Sequence, residues 1–245
     1  MADTMKNYVR RWKYWLILGI DTATKVCTVS LLRDSEPVAE YEINVGMTHS
    51  EGLLPQIGQL FERTKIAKKD IDLIAISIGP GSFTGLRIGL ATAEAMAYSW
   101  QIPVCGVDTL KAMAYNLPVD DIILAPVLDA QKGNYYLALY EWQKGELTEH
   151  QKVTVVSRDE LLTRLSEFAK PVMILGECAK LAQENLPQSV KLAPLQVRMP
   201  KASSVALLGL EEYNNGQRKD LFELNLHYIR RSEAEELWEK RQKKV

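Results

Sequence analysis

Histidine and cysteine are scarce in this 245-residue chain, with three of each. His49, His150 and His227 are scattered, and none has a second histidine at ligand spacing. Cys27, Cys105 and Cys178 lie far apart and form no CxxC pair, so their spacing points to neither a zinc site nor a disulfide framework. Each sits in or beside an apolar run, and reduced, buried thiols are the plain expectation. A surplus of either charge is also missing. Lys and Arg number 30 against 31 for Asp and Glu, a net charge of −1. That excludes the basic excess usual in a free-standing nucleic-acid binder, so contact with RNA would need a local patch or a partner. No apolar run approaches the roughly 20 residues of a membrane span. The stretch at 15–20, behind a basic N-terminus, is too short for a signal-peptide core and is followed at once by Asp21. There is no HExxH, no hydrolase nucleophile elbow, and no close Ser/His/Asp or Cys/His set.

What is present is a pattern that occurs twice. WLILGI (15–20), VCTVSLL (26–32) and VAEYEI (38–43) read as strands joined by turn residues. A helix follows at about 50–65, entered by the capping box Thr48-x-x-Glu51 and given an apolar face by Leu53, Leu54, Ile57, Leu60 and Phe61. Pro55 removes a backbone donor there and predicts a late start or a kink. A strand at 72–78, the loop GPGSFTG (79–85), a helix at 85–100 and a strand at 102–107 complete the first half.

The second half repeats the order. Its strands are expected at 122–130, 135–142 and 147–156, its helix behind Ser157-x-x-Glu160, and a further strand at 171–175. A short helix near 177–186 and a longer one at 203–214 follow. Asp21 matches Asp129 at an offset of 108, and the two capping boxes are 109 apart. A strand-strand-strand-helix-strand-helix unit occurring twice predicts an α/β chain of two lobes. This is the duplicated actin-like, Hsp70-ATPase and sugar-kinase (ASKHA, ribonuclease H-like) fold. The expected division is an N-terminal extension at 1–14, lobes at 15–112 and 113–225, and a helical tail at 226–245 that packs back on the first lobe.

Three features carry the functional expectations. In that fold the nucleotide lies between the lobes, beside an acidic residue after the first strand of each. Asp21, Thr22, Asp129, Gly79, Gly81 and Ser82 are therefore the candidate nucleotide-cleft residues. The competing reading is that the two aspartates merely end strands. GPGSFTG is neither a Walker A loop nor a clean GxGxxG, and it reads as a structural turn first and as a phosphate contact at a helix N-terminus second. Second, Gly85, Gly89, Ala93 and Ala97 stand at four-residue spacing, one small stripe along a helix. Two mid-helix glycines cost about 1 kcal/mol each relative to alanine, so a close contact should offset them. That contact is either the lobe's own sheet or the helix of another chain. Third, the tail 232–245 begins with a capping box and acids and ends in Lys240, Arg241, Lys243 and Lys244. It reads as a solvated helix or as an end that faces a partner or tRNA.

Residues 72–110, with the core GPGSFTGLRIG, resemble the bacterial TsaB (YeaZ) family almost residue for residue. ILGIDTATKVCTVSLL (17–32), HSEGLLPQI (49–57) and YIRRSEAEE (228–236) resemble it too. The resemblance implies a cytoplasmic, non-catalytic subunit needed for threonylcarbamoyladenosine formation at position 37 of tRNAs reading codons that begin with A. It implies partnership with the paralogous transferase TsaD and with TsaE, a homodimer when alone, tRNA met through the complex, and no membrane. No cofactor is expected beyond ATP or ADP at the cleft or the partner interface. The metal-binding histidines of TsaD align with Thr109 and Met113, neither a plausible ligand for iron or zinc, so no metal is expected. The interface implied is the two helices 50–64 and 84–98, with Leu53, Leu54, Ile57, Phe61, Gly85, Leu86, Gly89, Leu90, Ala93 and Ala97. On that reading Gly89→Leu would abolish transferase binding and spare the fold. The alternative is an independent kinase-like enzyme using Asp21 and Asp129 around ATP.

Overall fold

The computed structural model describes residues 14–44, 48–181, 186–216 and 222–229. The first half forms β1 (Leu16–Asp21), β2 (Cys27–Arg33), β3 (Glu36–Ile43), α1 (His49–Thr64), β4 (Leu73–Gly79), α2 (Phe83–Trp100) and β5 (Val104–Asp108). The strands make one sheet in the order β3-β2-β1-β4-β5. β1 pairs antiparallel with β2 and parallel with β4. Every residue of β1 and β4 is buried, as central strands covered on both faces require. β3, at the edge, is exposed or half-exposed throughout.

The second half contains α3 (Thr109–Tyr115), β6 (Ile123–Asp129), β7 (Asn134–Gln143), β8 (Glu146–Ser157), α4 (Arg158–Ser166), β9 (Val172–Gly176), β10 (Val190–Leu192), α5 (Leu195–Arg198) and α6 (Ala202–Asn214). Its sheet has the order β10-β9-β6-β7-β8. Read from its β8 edge, it repeats the first sheet strand for strand, so the duplicated actin-like, ribonuclease H-like architecture is present.

Local chemistry sets most boundaries. The Glu51 carboxylate accepts from the Thr48 N–H at 3.2 Å and from its hydroxyl at 2.7 Å, closing the first turn of α1. In α4, Ser157 Oγ accepts from Glu160 N at 3.3 Å. The late start expected from Pro55 does not occur, because α1 begins at His49 and runs through the proline. Pro55 lies on the exposed side, where water can satisfy the carbonyl that loses its partner. Leu54, expected on the apolar face of α1, points to solvent, while Leu53, Ile57, Leu60 and Phe61 enter the core.

The short elements α3, β10 and α5 have no counterpart in the sequence-based expectation. The segment 177–181 contains no α-helix, and 182–185 lie outside the described residues.

Two helices change sides. α3 follows the first sheet but buries Leu110, Met113 and Ala114 among Leu124, Leu128 and Tyr136 of the second. α6, expected in the second lobe, lays Val205, Ala206 and Leu208 on Ile17, Leu73 and Ala75 of the first. The approach is close at Gly19, where a Cβ would stand 2.1 Å from the Ala202 carbonyl oxygen. Each half thus closes the core of the other. The segment 222–229 returns to the first lobe as well. Leu224 is buried in that lobe's core, and His227 N donates to Ile78 O at 2.8 Å. Of the helical tail expected at 226–245, residues 226–229 are not helical and 230–245 lie outside the described residues, as do residues 1–13 of the extension expected at 1–14.

Candidate functional site

The GPGSFTG loop locks the turn after β1. Ser82 caps α2, its Oγ accepting from Gly85 N at 3.2 Å. Ser82 N donates to Ala23 O at 2.7 Å, and Thr22 Oγ1 donates to Gly85 O at 2.8 Å. The contact leaves no room for side chains. A Cβ on Gly81 would come within 2.4 Å of Ala23 O, one on Gly85 within 2.1 Å of Thr22 O, and one on Gly89 within 2.2 Å of Thr22 Oγ1. Ala93 and Ala97 continue the same buried stripe onto the sheet. The stripe is therefore packed inside its own lobe, and the expectation that it faces another chain is corrected. Leu53, Ile57, Phe61, Gly85, Leu86, Gly89, Ala93 and Ala97 are all buried. Of the expected interface residues only Leu54 is exposed and Leu90 half-buried.

The same lock removes half of the expected nucleotide site. Asp21 and Thr22 are fully buried beneath α2. Asp21 Oδ1 accepts from Ala23 N at 3.1 Å. Burial lifts the Asp21 carboxyl to about 6, against the smaller opposing pulls of the Ser77 hydroxyl and the Ala23 N–H. Between the lobes lies a cleft of about 1170 Å³, whose lining includes Asp129, Gly81 and Ser82 but not Asp21, Thr22 or Gly79. Gly79 sits under the His227 carbonyl instead. Asp129 is itself engaged. Its Oδ1 accepts from Gln131 N at 2.7 Å, and its Oδ2 pairs with Lys180 at 3.1 Å. Two carboxylates facing one magnesium nucleotide are not assembled, and the kinase-like reading of Asp21 with Asp129 is corrected on that ground.

Thr109 and Met113 are both fully buried. Met113 Cε packs so tightly on Gly176 that a Cβ there would be 2.3 Å away. A threonine hydroxyl and a thioether filling a packed core do not fit an iron or zinc ion. Among the described residues no group of three His, Cys, Asp or Glu could hold a metal. The three cysteines are buried and none is in a disulfide, and burial pushes the Cys27 thiol up to about 11, away from reactivity.

A different surface of the two helices is open. On α1, Leu54 is 58% exposed, and a Cβ on Gly58 would touch nothing within 4 Å. On α2, Ala91 and Ala95 are exposed and Tyr98 is 68% exposed, with the exposed Phe222 ring 6.0 Å from it. The spacings 54/58 and 91/95/98 put each set on one stripe of its helix. Sequence reasoning missed this second small-residue row, two positions and about 200° around the helix from the buried one. The signal was there, since Ala91 and Ala95 repeat at four residues like Gly89 and Ala93.

Residues 44–238 match the family model described as TsaD, tRNA N6-adenosine threonylcarbamoyltransferase. The chain is 31% identical over 231 residues to the tRNA threonylcarbamoyladenosine biosynthesis protein TsaB of Bacillus subtilis, covering 93% of this chain and 99% of that one. It is 32% identical over 149 residues to TsaB of Escherichia coli, 60% of this chain and 64% of the relative. Its fold matches YeaZ from Pseudomonas aeruginosa with a TM-score of 0.72 at 23% identity, over 87% of this chain and 99% of that one. On the strength of the near-complete match to its Bacillus relative, the chain belongs to the TsaB (YeaZ) family of tRNA threonylcarbamoyladenosine biosynthesis proteins.

Proposed function

We propose that this chain is a non-catalytic, cytoplasmic subunit of the machinery that forms threonylcarbamoyladenosine at position 37 of tRNAs reading codons that begin with A. It supports the paralogous transferase TsaD, together with TsaE, and pairs with itself when the transferase is absent. The contact is made by the outward stripes of α1 and α2, with Leu54, Gly58, Ala91, Ala95 and Tyr98, in place of the buried stripe. The observation that carries this reading is an exposed row of small and apolar side chains on two adjacent helices. Gly58 and the two alanines let a facing helix approach closely, and Leu54 and Tyr98 supply anchors. The absence of ligand chemistry at Thr109 and Met113 supports a partner role over a transferase role.

Reconstitution tests it. The cognate transferase and TsaE, given threonylcarbamoyl-adenylate and unmodified tRNA, should form the modified nucleoside slowly or not at all until this chain is added. This chain without the transferase should form none. Full activity of the transferase in its absence, or modification by this chain alone, would reject the reading.

A further inference from the structure

The segment 222–229 lies along α2 as a strap. At one end the Phe222 ring stands 6.0 Å from the Tyr98 ring. At the other the Tyr228 ring stands 5.0 Å from that of Phe83, and the Tyr228 hydroxyl accepts from Arg87 Nε at 3.0 Å. The helical rise from Phe83 to Tyr98 is about 22 Å. An extended chain from Phe222 to Tyr228 reaches about 20 Å, so the strap runs antiparallel to the helix and nearly straight. It is pinned between its ends. Leu224 is sunk in the first-lobe core, its Cδ2 only 3.2 Å from where a Cβ on Gly106 would stand, and His227 N donates to Ile78 O at 2.8 Å. Arg87, Ala91, Ala95 and Tyr98, three or four apart, share one stripe of α2. The strap touches that stripe at both ends, so it borders the open face of α1 and α2 and widens it.

Phe222 departs from the rest of the strap. Its φ is 72°, in the left-handed region that a bulky side chain enters only at a cost. Burial within the chain does not offset that cost, because Phe222 is 64% exposed and Tyr98 beside it 68%. Two touching rings, both more than half open to water, form an apolar patch of the kind that a partner covers.

Resting on the docking face proposed above, we propose that the strap is its third element, and that Phe222 and Tyr98 together are the anchor over which the paralogous transferase lays an apolar side chain. The left-handed backbone at Phe222 holds its ring against Tyr98 before the partner arrives, so docking orders little that is not ordered already.

Titration of the full-length chain with its cognate transferase, read by light scattering and calorimetry, tests this with Phe222→Gly and Phe222→Tyr. Glycine adopts a φ of 72° without strain, so the first variant removes the ring and keeps the backbone. Phe222→Gly should weaken the heterodimer about tenfold or more, with an unfolding midpoint equal to or above that of the parent. Phe222→Tyr keeps an aromatic anchor and should bind within about twofold of the parent. A merely structural role would lower affinity and midpoint together. Four results would overturn the proposal: parental affinity in Phe222→Gly; affinity lost only along with the unfolding midpoint; equal loss in Phe222→Tyr; or loss of self-association with transferase affinity intact. Leu54→Arg, on α1, separates this outcome from that of the docking face as a whole. Weak binding by Leu54→Arg beside parental binding by Phe222→Gly rejects the strap and keeps the helices, whereas parental binding by both rejects both.

Discussion

Gly89→Leu should unfold this protein and leave no soluble, folded chain in which binding could be scored. The Cβ alone would stand 2.2 Å from Thr22 Oγ1 and 3.1 Å from Ile76 Cδ1. Thr22 cannot yield, because it is fully buried and its hydroxyl is committed to Gly85 O. Overpacking a tight core costs about 1–3 kcal/mol for modest insertions, and a whole leucine side chain exceeds that. A loss of about 4 kcal/mol or more is expected, a large share of the roughly 5–15 kcal/mol that holds a domain together. Gly89→Ala should already lose about 2 kcal/mol, although alanine is the better helix former by about 1 kcal/mol. Gly58, in the neighbouring helix, is the internal control. With nothing near its Cβ, Gly58→Ala should gain about 0.5–1 kcal/mol. Urea unfolding midpoints of Gly89→Ala and Gly58→Ala, with soluble yield and circular dichroism for Gly89→Leu, check the contrast. Equal tolerance at 58 and 89 would show that α2 does not sit on the β1 turn as described.

Asp21→Asn should stabilise the protein, and only above mildly acidic pH. A carboxyl raised from 3.8 to about 6 holds its proton more tightly in the folded state than in the unfolded one. Its contribution to stability is complete below pH 3.8 and is lost as pH rises through 6. Above that, burying the charge costs up to about 3 kcal/mol. Asparagine keeps the acceptor for Ala23 N and never ionises. At pH 8 the variant should therefore unfold about 2–3 kcal/mol later than the parent, and at pH 4 the two should coincide. A variant that loses stability at pH 8 would mean that the Ser77 hydroxyl and the Ala23 N–H stabilise the ionised form by more than burial costs it. The position is thus costly in the folded chain at neutral pH, and the cleft chemistry does not repay it.

Much of the fold was legible because burial leaves a period. The continuous apolar runs at β1 and β4 and the two capping boxes placed the elements to within a residue or two, and their constant offset exposed the duplication. The exchange of α3 and α6 between lobes was not legible. An apolar face says that a helix is covered, not which sheet covers it. The small-residue stripe failed for a related reason. Gly85, Gly89, Ala93 and Ala97 predict a close neighbour but carry no label for it, and the neighbour is Thr22 of the same lobe. Leu53 and Leu54 differ by one position and about 100° around α1, so periodicity fixed the helix but not which leucine remained outside. The basic lining of the interlobe cleft was invisible for a simpler cause: Lys25, Arg87, Lys132, Lys180 and Arg198 come from five separated segments that only the closed fold brings together.

The docking face is tested most directly by Leu54→Arg, which places a charge on α1 at a side chain already 58% exposed and leaves the core untouched. Light scattering of the purified variant mixed with its cognate transferase should show separate species where the parent chain forms a heterodimer, with affinity reduced at least tenfold and an unchanged unfolding midpoint. A Leu54→Arg chain that binds the transferase as tightly as the parent would contradict the assignment of the outward stripes of α1 and α2 as the contact.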